Sequence, residues 1–248
     1  MQNLESPYII ELAKTLKHHW YSVWKKNKKG GKGKFLGHFP SATTILNAYP
    51  QSEHLTRWIA EQGYNEAQEI KSEAGEQGTR VHKAIEMLLG GAELQEEMYK
   101  LKEWWKISTF VAWHARHKPD IIALELPVFS PRGKFAGTTD CIAKIGGETW
   151  LIDWKTSGSL HDHFPLQFSA YAHAIEEVYK IKIDSTAVLQ MGASNKDGFR
   201  FVPYPDWREQ HYSVFEHVHK VWQYDNFDSK KKQKEPPVLV LSATLKLN

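Results

Sequence analysis

Residues 137–157 read GTTDCIAKIGGETWLIDWKTS. At their centre Gly146-Gly147 is a two-residue hairpin signal, flanked by Cys141-Ile142-Ala143 and Trp150-Leu151-Ile152. A turn centred between the glycines sets Asp140 opposite Asp153. Cβ atoms of facing residues in such a pair lie about 4.5–5.5 Å apart, and like charges there repel. The flanking residues are apolar, so water screens the repulsion poorly, and a cation between the acids resolves it. Lys155 falls on the same face as Asp153 because strands have a period of two. Two acids and a lysine on one sheet face outline a site for metal-assisted phosphodiester hydrolysis.

Outward from the hairpin, Ile121 to Ser130 reads as a strand and Pro131-Arg132-Gly133 as the turn that joins it to the stretch Phe135 to Ile145. With that turn near Arg132, Glu125 falls opposite Thr138–Thr139, close to Asp140. After the hairpin come an amphipathic helix (Leu166 to Tyr179), strands Thr186 to Gly192 and Phe199 to Pro203, and a helix from Asp206 to Tyr224. Meandering strands with helices at either end predict an α/β protein with a central mixed sheet, not an alternating βαβ pattern. Upstream, residues 1–24 place Ile9, Leu12, Leu16, Trp20 and Trp24 near helical spacing. Further helices are expected from Ser41, around Leu55–Ile59, over 63–90, and through Leu101 to Trp113. The chain therefore divides into a helical region (1–118) carrying a Lys/Gly arm at 25–34, a core (119–226), and a Lys-rich linker with a strand-like tail (227–248).

The chain has 248 residues, 41% apolar and 25% charged, as expected of a globular protein of one large domain. No apolar run approaches the ~18–20 residues that span a membrane, and no signal-peptide pattern opens the chain. The single cysteine, Cys141, has no companion for a disulfide, a thiolate zinc site or an Fe–S cluster, which makes a reducing cytoplasm the default. No GxGxxG or GxxxxGK[ST] occurs, so no nucleotide cofactor is indicated. The net charge is only +3, but it is patchy: residues 25–34 carry six lysines and no acid, and residues 230–234 carry four. Clustered lysines with glycine suit a phosphate backbone, and Lys25, Lys26, Lys28 and Lys29 are candidates for that contact.

An acid-x-Lys triplet is common, and the chain has three: Glu69-Ile70-Lys71, Asp153-Trp154-Lys155 and Asp228-Ser229-Lys230. Only the middle one ends an apolar strand and faces a second acid. The chain also has thirteen histidines, so ligand-like spacings such as His161/His163 and His217/His219 carry little weight alone.

Five segments in order resemble the PD-(D/E)XK nucleases of the RecB-like branch. They are Gly78-Thr79-Arg80-Val81-His82, Glu125, Gly137-Thr138-Thr139-Asp140, Asp153-Trp154-Lys155-Thr156-Ser157, and the helix from Gln167 to Tyr171. The run Pro40-Ser41-Ala42-Thr43-Thr44-Ile45 further resembles phage exonucleases and those of the mitochondrial genome-maintenance type. The resemblance covers residues 40–225 and implies a restriction-endonuclease-like core. Members of this branch with an Fe–S cluster need four cysteines, and here the chain departs from them.

The resemblance and the residue chemistry together assign roles. Asp140 and Asp153 offer hard oxygen ligands for one or two Mg²⁺ or Mn²⁺ ions, with the Trp154 carbonyl, His82 and Glu125 as further ligands. Lys155 stabilises charge on the phosphate or orients the attacking water. Gln167 and Tyr171, at i and i+4, share a helix face toward the scissile nucleotide, and Thr156 and Ser157 flank it. The implied activity is that of a metal-dependent DNA nuclease, foremost a single-strand-preferring exonuclease in recombination, repair or replication. Its expected partners are DNA that is single-stranded or has free ends, and recombination or replication proteins. The expected setting is the cytoplasm of a bacterial or phage-infected cell, away from membranes. The alternatives are a structure-specific endonuclease, a catalytically silent nucleic-acid-binding module, and an enzyme acting on a small phosphoester, which the basic arms disfavour.

Overall fold

The computed structural model describes residues 4–13 and 18–226. Five strands form the main sheet in the order β4 (Asp120–Ser130), β5 (Phe135–Ile145), β6 (Glu148–Lys155), β7 (Ser185–Met191) and β8 (Phe199–Tyr204). Pairing is antiparallel except between β6 and β7, which run parallel. A parallel neighbour needs a crossover, and α5 (Phe164–Tyr179) supplies it. The sheet is mixed and flanked by helices, compatible with the expected restriction-endonuclease-like core. No helix among the described residues is long and apolar enough to cross a membrane.

Alternation along β6 builds two cores from one strand. Ile152 and Trp154 face α3 (Tyr64–Leu89) and α4 (Leu101–His117), packing with Val81, Ile85, Phe110 and Trp113. Leu151 faces the other way, onto α1 (Ala42–Ile45), α5 and α6 (Ser213–Asn226), with Ile45, Phe168, Ile175 and Phe215. A π-helical turn at Trp207–Tyr212 leads into α6. α2 (Glu53–Gln62) buries no residue and lies outside both cores. Burying a large apolar side chain is worth about 1.5–3 kcal/mol, so these two clusters, rather than helix propensity, hold the layers. The hairpin turn takes the form its glycines allow: φ is +61° at Gly146 and +89° at Gly147, positive at both positions as a type I′ turn requires.

The N-terminal region departs from the sequence expectation. Within 1–24, expected as a helix, the chain instead forms β1 (Tyr8–Ala13) and most of β2 (Trp20–Lys26), which pair with β3 (Lys32–Pro40) in an antiparallel sheet. Aromatic and β-branched residues such as Trp20, Tyr21, Val23 and Trp24 fit a pleated surface better than a helix. The helical spacing of Ile9, Leu12, Leu16, Trp20 and Trp24 is coincidental: the consecutive residues Trp20, Tyr21, Ser22 and Val23 are all buried, which a one-sided helix does not allow. The Lys/Gly segment 25–34 is not a loose arm. It is the β2–β3 hairpin, whose turn is tied by Asn27 Oδ1 accepting from the Lys29 and Gly31 amides at 2.9 and 3.0 Å. Tyr21 and Val23 pack on Phe129 and Ala136 at the β4–β5 tip. Ser41 caps α1 by accepting from the Thr44 amide at 3.0 Å, and its own amide donates to the His19 carbonyl at 2.9 Å. The Lys-rich linker, the C-terminal tail and the Asp228 triplet lie outside the described residues.

Gly137 is where α5 meets β5. A Cβ there would lie 2.2 Å from Cε1 of the buried Tyr171 ring. Gly137→Ala is expected to cost about 1–3 kcal/mol by overpacking, read as a lower midpoint in urea unfolding. Gly158→Ala, where a Cβ meets nothing within 4 Å, serves as the unaffected control. Equal midpoints for the two variants would refute this packing account.

Candidate metal centre

The peptide group of Trp154 organises the site. Its N–H donates to Asp140 Oδ2 at 2.7 Å, across the β5–β6 pair. Its carbonyl oxygen lies 3.1 Å from His82 Nε2, which projects from α3. Its indole is buried edge-on against Phe110 and Trp113, with ring centroids 5.3 and 5.7 Å away. His82 Nδ1 in turn lies 3.7 Å from Asp140 Oδ1. α3 approaches this closely because its interior carries Gly78, where a Cβ would stand 3.2 Å from Thr156 Oγ1.

Glu125 enters from β4. The register pairs Leu124 with Cys141 and Leu126 with Thr139, which sets Glu125 across from Asp140 rather than from Thr138–Thr139 as the sequence suggested. The turn places Ser130 opposite Phe135, so it is centred between Arg132 and Gly133 rather than on Arg132, and that half-residue difference makes Asp140 the partner. Glu125 itself has φ of +45°, a left-handed conformation that a non-glycine residue adopts inside a strand only at a cost of about 1–3 kcal/mol. That strain turns its carboxylate toward Asp140 and His82. One ligand atom from each of His82, Glu125 and Asp140 lies within 4.8 Å of the others.

The donors fit a hard divalent cation. Two carboxylates, an imidazole and the Trp154 carbonyl converge, and carboxylate and carbonyl oxygens suit Mg²⁺ or Mn²⁺. The electrostatics point the same way, because the acids strain against one another. The Asp140 carboxyl is pushed up to about 6, first by burial and then by the Asp153 charge. Glu125 is exposed by area, yet the cleft walls crowd its carboxyl, which is pushed up to about 7 by dehydration and then by Asp140.

Asp153 stands apart from this group of three. Its buried carboxylate is closed by Lys155 Nζ in an ion pair that lacks hydrogen-bond geometry. Lys155 also lies over the Phe164 ring, 4.6 Å from its centroid, at the start of α5. Gln167 and Tyr171 follow on α5 and share a cavity of about 510 Å³ with Asp140, Asp153, Lys155 and Thr138. Burial raises the Tyr171 hydroxyl well above its usual range, so it stays a neutral group to which Gln167 hydrogen-bonds. Thr156 and Ser157 line the adjoining cavity of about 640 Å³ beside Gly78, His82 and Glu125. The buried Gln190 on β7 fixes this loop by donating to the Ser157 carbonyl at 3.0 Å.

The structure thus brings Asp140, Asp153, Lys155, His82, Glu125, Trp154, Gln167, Tyr171, Thr156 and Ser157 to one cleft. Lys25, Lys26, Lys28 and Lys29 lie on the β2–β3 hairpin and line neither of these cavities. His161 and His163 pack against Phe164 and line a neighbouring cavity, His219 is buried among Phe135, Phe215 and Trp222, and Glu69 and Lys71 lie on an exposed stretch of α3. Residues 1–24, expected as a helix, also supply Leu12, His18, His19 and Tyr21 to the cleft walls. The Tyr21 hydroxyl meets Thr138 Oγ1 at 3.1 Å and closes the cleft from the N-terminal sheet. The β-rich run Trp20-Tyr21-Ser22-Val23 was the signal that would have found Tyr21.

No family model matches the chain. Similar curated proteins are named mitochondrial genome maintenance exonuclease 1. That of Mus musculus is 31% identical over 156 residues, covering 55% of this chain and 44% of the relative. That of Homo sapiens is 32% identical over 151 residues, covering 55% and 43%. That of Xenopus tropicalis is 30% identical over 181 residues, covering 65% and 50%. The chain therefore spans half or less of the length of these relatives. A solved structure, "Crystal structure of SSO0001", aligns with 74% of each chain at 12% identity with a TM-score of 0.37, a value that carries no argument about this fold.

The raised acids set the pH dependence of the metal-free protein. Unfolded Asp and Glu release their protons near 4, whereas Asp140 and Glu125 hold theirs to about 6 and 7 in the fold. Between those limits the native state binds more protons than the unfolded one, so stability falls as pH rises from about 4 to about 7. Thermal melts of the chelated protein are expected to show this decline, and Asp140→Asn to flatten it. Mg²⁺ or Mn²⁺ should raise the melting point at pH 7.5 far more than at pH 5, with about 2.7 kcal/mol of added stability at a hundredfold excess over the dissociation constant. A metal-induced shift that is equal at both pH values, or intact in Asp140→Asn, would remove Asp140 from the ligand set.

Proposed function

We propose that the protein is a metal-dependent nuclease that hydrolyses phosphodiester bonds in DNA, acting foremost as a single-strand-preferring exonuclease. The observation that carries the reading is the convergence of His82, Glu125 and Asp140 within 4.8 Å, beside a lysine on the same sheet face. The exonuclease names of the similar proteins support it, although the match spans half or less of the length of those proteins.

In this reading Asp140, Glu125, His82 and the Trp154 carbonyl hold a divalent cation, with Asp153 available once Lys155 turns from it toward a phosphate. The bound ion would acidify a water and offset charge on the phosphate oxygens. Lys155 supplies a fixed positive charge to the same oxygens, and the low-dielectric floor of buried Asp153 and Tyr171 strengthens it. Gln167 orients the scissile nucleotide from α5, and Thr156 and Ser157 donate hydroxyls along the backbone. The lysines of the β2–β3 hairpin contact phosphates farther along the strand, and the Trp24 and Phe35 rings beside them, 5.3 Å apart, add stacking faces. Mg²⁺ or Mn²⁺ suits the donors, with recombination, repair or replication in a bacterial or phage-infected cell as the setting.

Asp153→Ala and Lys155→Ala are each expected to lower cleavage of end-labelled single-stranded DNA by at least a hundredfold, while anisotropy shows DNA binding within a few-fold of the parent. Retained cleavage in Lys155→Ala would sink the assignment. Circular single-stranded DNA separates the readings within the class, since an exonuclease spares it and a structure-specific endonuclease opens it. Replacing Lys25, Lys26, Lys28 and Lys29 with Gln should weaken binding and lower the slope of log affinity against log salt by about 0.7 per lost phosphate contact. An unchanged slope would return the hairpin to a structural role.

A further inference from the structure

The cleft does not end at the metal-binding group. Phe164, which carries Lys155 on its face, meets the rings of His161 and His163 edge-on, each 5.0 Å away. Beyond them lies a separate cavity of about 560 Å³ whose walls include Thr43, Asn47, Tyr49, His161 and His163. Thr43 and Asn47 also line the cavity that contains Asp140, Asp153 and Lys155. Four residues apart, they are exposed along one edge of the helical turn that begins with α1, so the two cavities meet across their side chains.

The chemistry of the outer cavity differs from that of the metal centre. Neither lysine nor arginine lines it, and its one formal charge is Asp162, so attraction of a phosphate is not what it offers. Burial lowers the affinity of His161 and His163 for a proton; Asp162 opposes this and Lys155 reinforces it. The two imidazoles lie nearly parallel, 11° apart with centroids at 5.5 Å, and Tyr49 stands 6.5 Å from His163. They do not converge as a metal group among the described residues. Flat neutral rings with a polar edge of Thr43 and Asn47 match the face and edge of a nucleobase.

We propose that this cavity is a base-stacking subsite, in which Tyr49 and His163 hold one unpaired nucleobase of the strand whose phosphodiester lies at Asp140 and Lys155. The proposal rests on the nuclease reading above and deepens it, because a base paired in a duplex presents no free face to these rings. Selection for single strands then comes from stacking, and it tolerates sequence because every base has a π face.

The test uses fluorescent single-stranded oligothymidylates in which one nucleotide at a time is replaced by an abasic analogue. Binding to the full chain is read by anisotropy in chelator, so the measurement needs no cleavage. One abasic position is expected to weaken binding roughly five- to hundredfold. That penalty should vanish in Tyr49→Ala/His163→Ala and persist in Tyr49→Phe and His163→Phe, with matching thermal melts establishing that all variants fold. A penalty of equal size in the parent and the double alanine variant, or none at any position, overturns the subsite while leaving the nuclease reading intact. A parent protein that cleaves no oligonucleotide with Mg²⁺ or Mn²⁺ overturns the nuclease reading and the subsite with it.

Discussion

The site depends on one peptide group. Trp154 N–H satisfies a carboxylate oxygen of Asp140, and Trp154 C=O faces His82. Both contacts need the strand to stay where it is, and the Trp154 indole, buried against Phe110 and Trp113, keeps it there. A single residue therefore joins the α3–α4 core to the acid cluster on the opposite face of the sheet. Its neighbours Asp153 and Lys155 point into the cleft because side chains alternate along a strand. The same alternation that builds two cores from β6 also sends a tryptophan into one and an aspartate and a lysine into the other side.

Around that peptide the fold accumulates unfavourable terms that a bound proton or a cation relieves. Asp140 is buried near Asp153, Glu125 is held in a left-handed conformation and turned toward Asp140, and both raised acids resist ionisation. Such strain persists when the surrounding structure over-determines it. Here the β4–β5 pairing on both sides of Glu125, the Gly137–Tyr171 contact and the Ser157–Gln190 bond do so. The N-terminal sheet completes the arrangement by closing the cleft with Tyr21 and by extending the lysines of the β2–β3 hairpin from its far end.

Local pattern and local geometry differed in how far they could be read. The hairpin, the facing acids, the alternation that puts Lys155 beside Asp153, and the i, i+4 pair Gln167 and Tyr171 all follow from periods of two and 3.6 and from a glycine turn. The N-terminal strands did not follow, because Ile9, Leu12, Leu16, Trp20 and Trp24 satisfy a helical count by coincidence, while Trp20 to Val23 are buried on both faces. The rank of Glu125 did not follow either. The turn after β4 sets Ser130 against Phe135 and is centred between Arg132 and Gly133, which moves the partner of Glu125 to Asp140, and no composition signal marks half a residue of register. The Glu69 triplet lies on an exposed stretch of α3 and His219 is packed among aromatic rings, both away from the acid cluster.

The sequence by itself determined the mixed sheet with its β5–β6 hairpin and the identity of the acids, lysine and histidine brought to it, since strand alternation and turn chemistry act over a few residues. Only the tertiary structure decided which of those residues converge. His82 and Asp140 are separated by 58 positions in the chain (140 − 82) and meet because α3 crosses β6 at Gly78. Asp153 is two residues from Lys155 yet is drawn to it rather than to the cluster. Contacts between distant elements are set by packing, by how closely two backbones approach and which rotamers the cores permit, and packing leaves no period in the chain to be read.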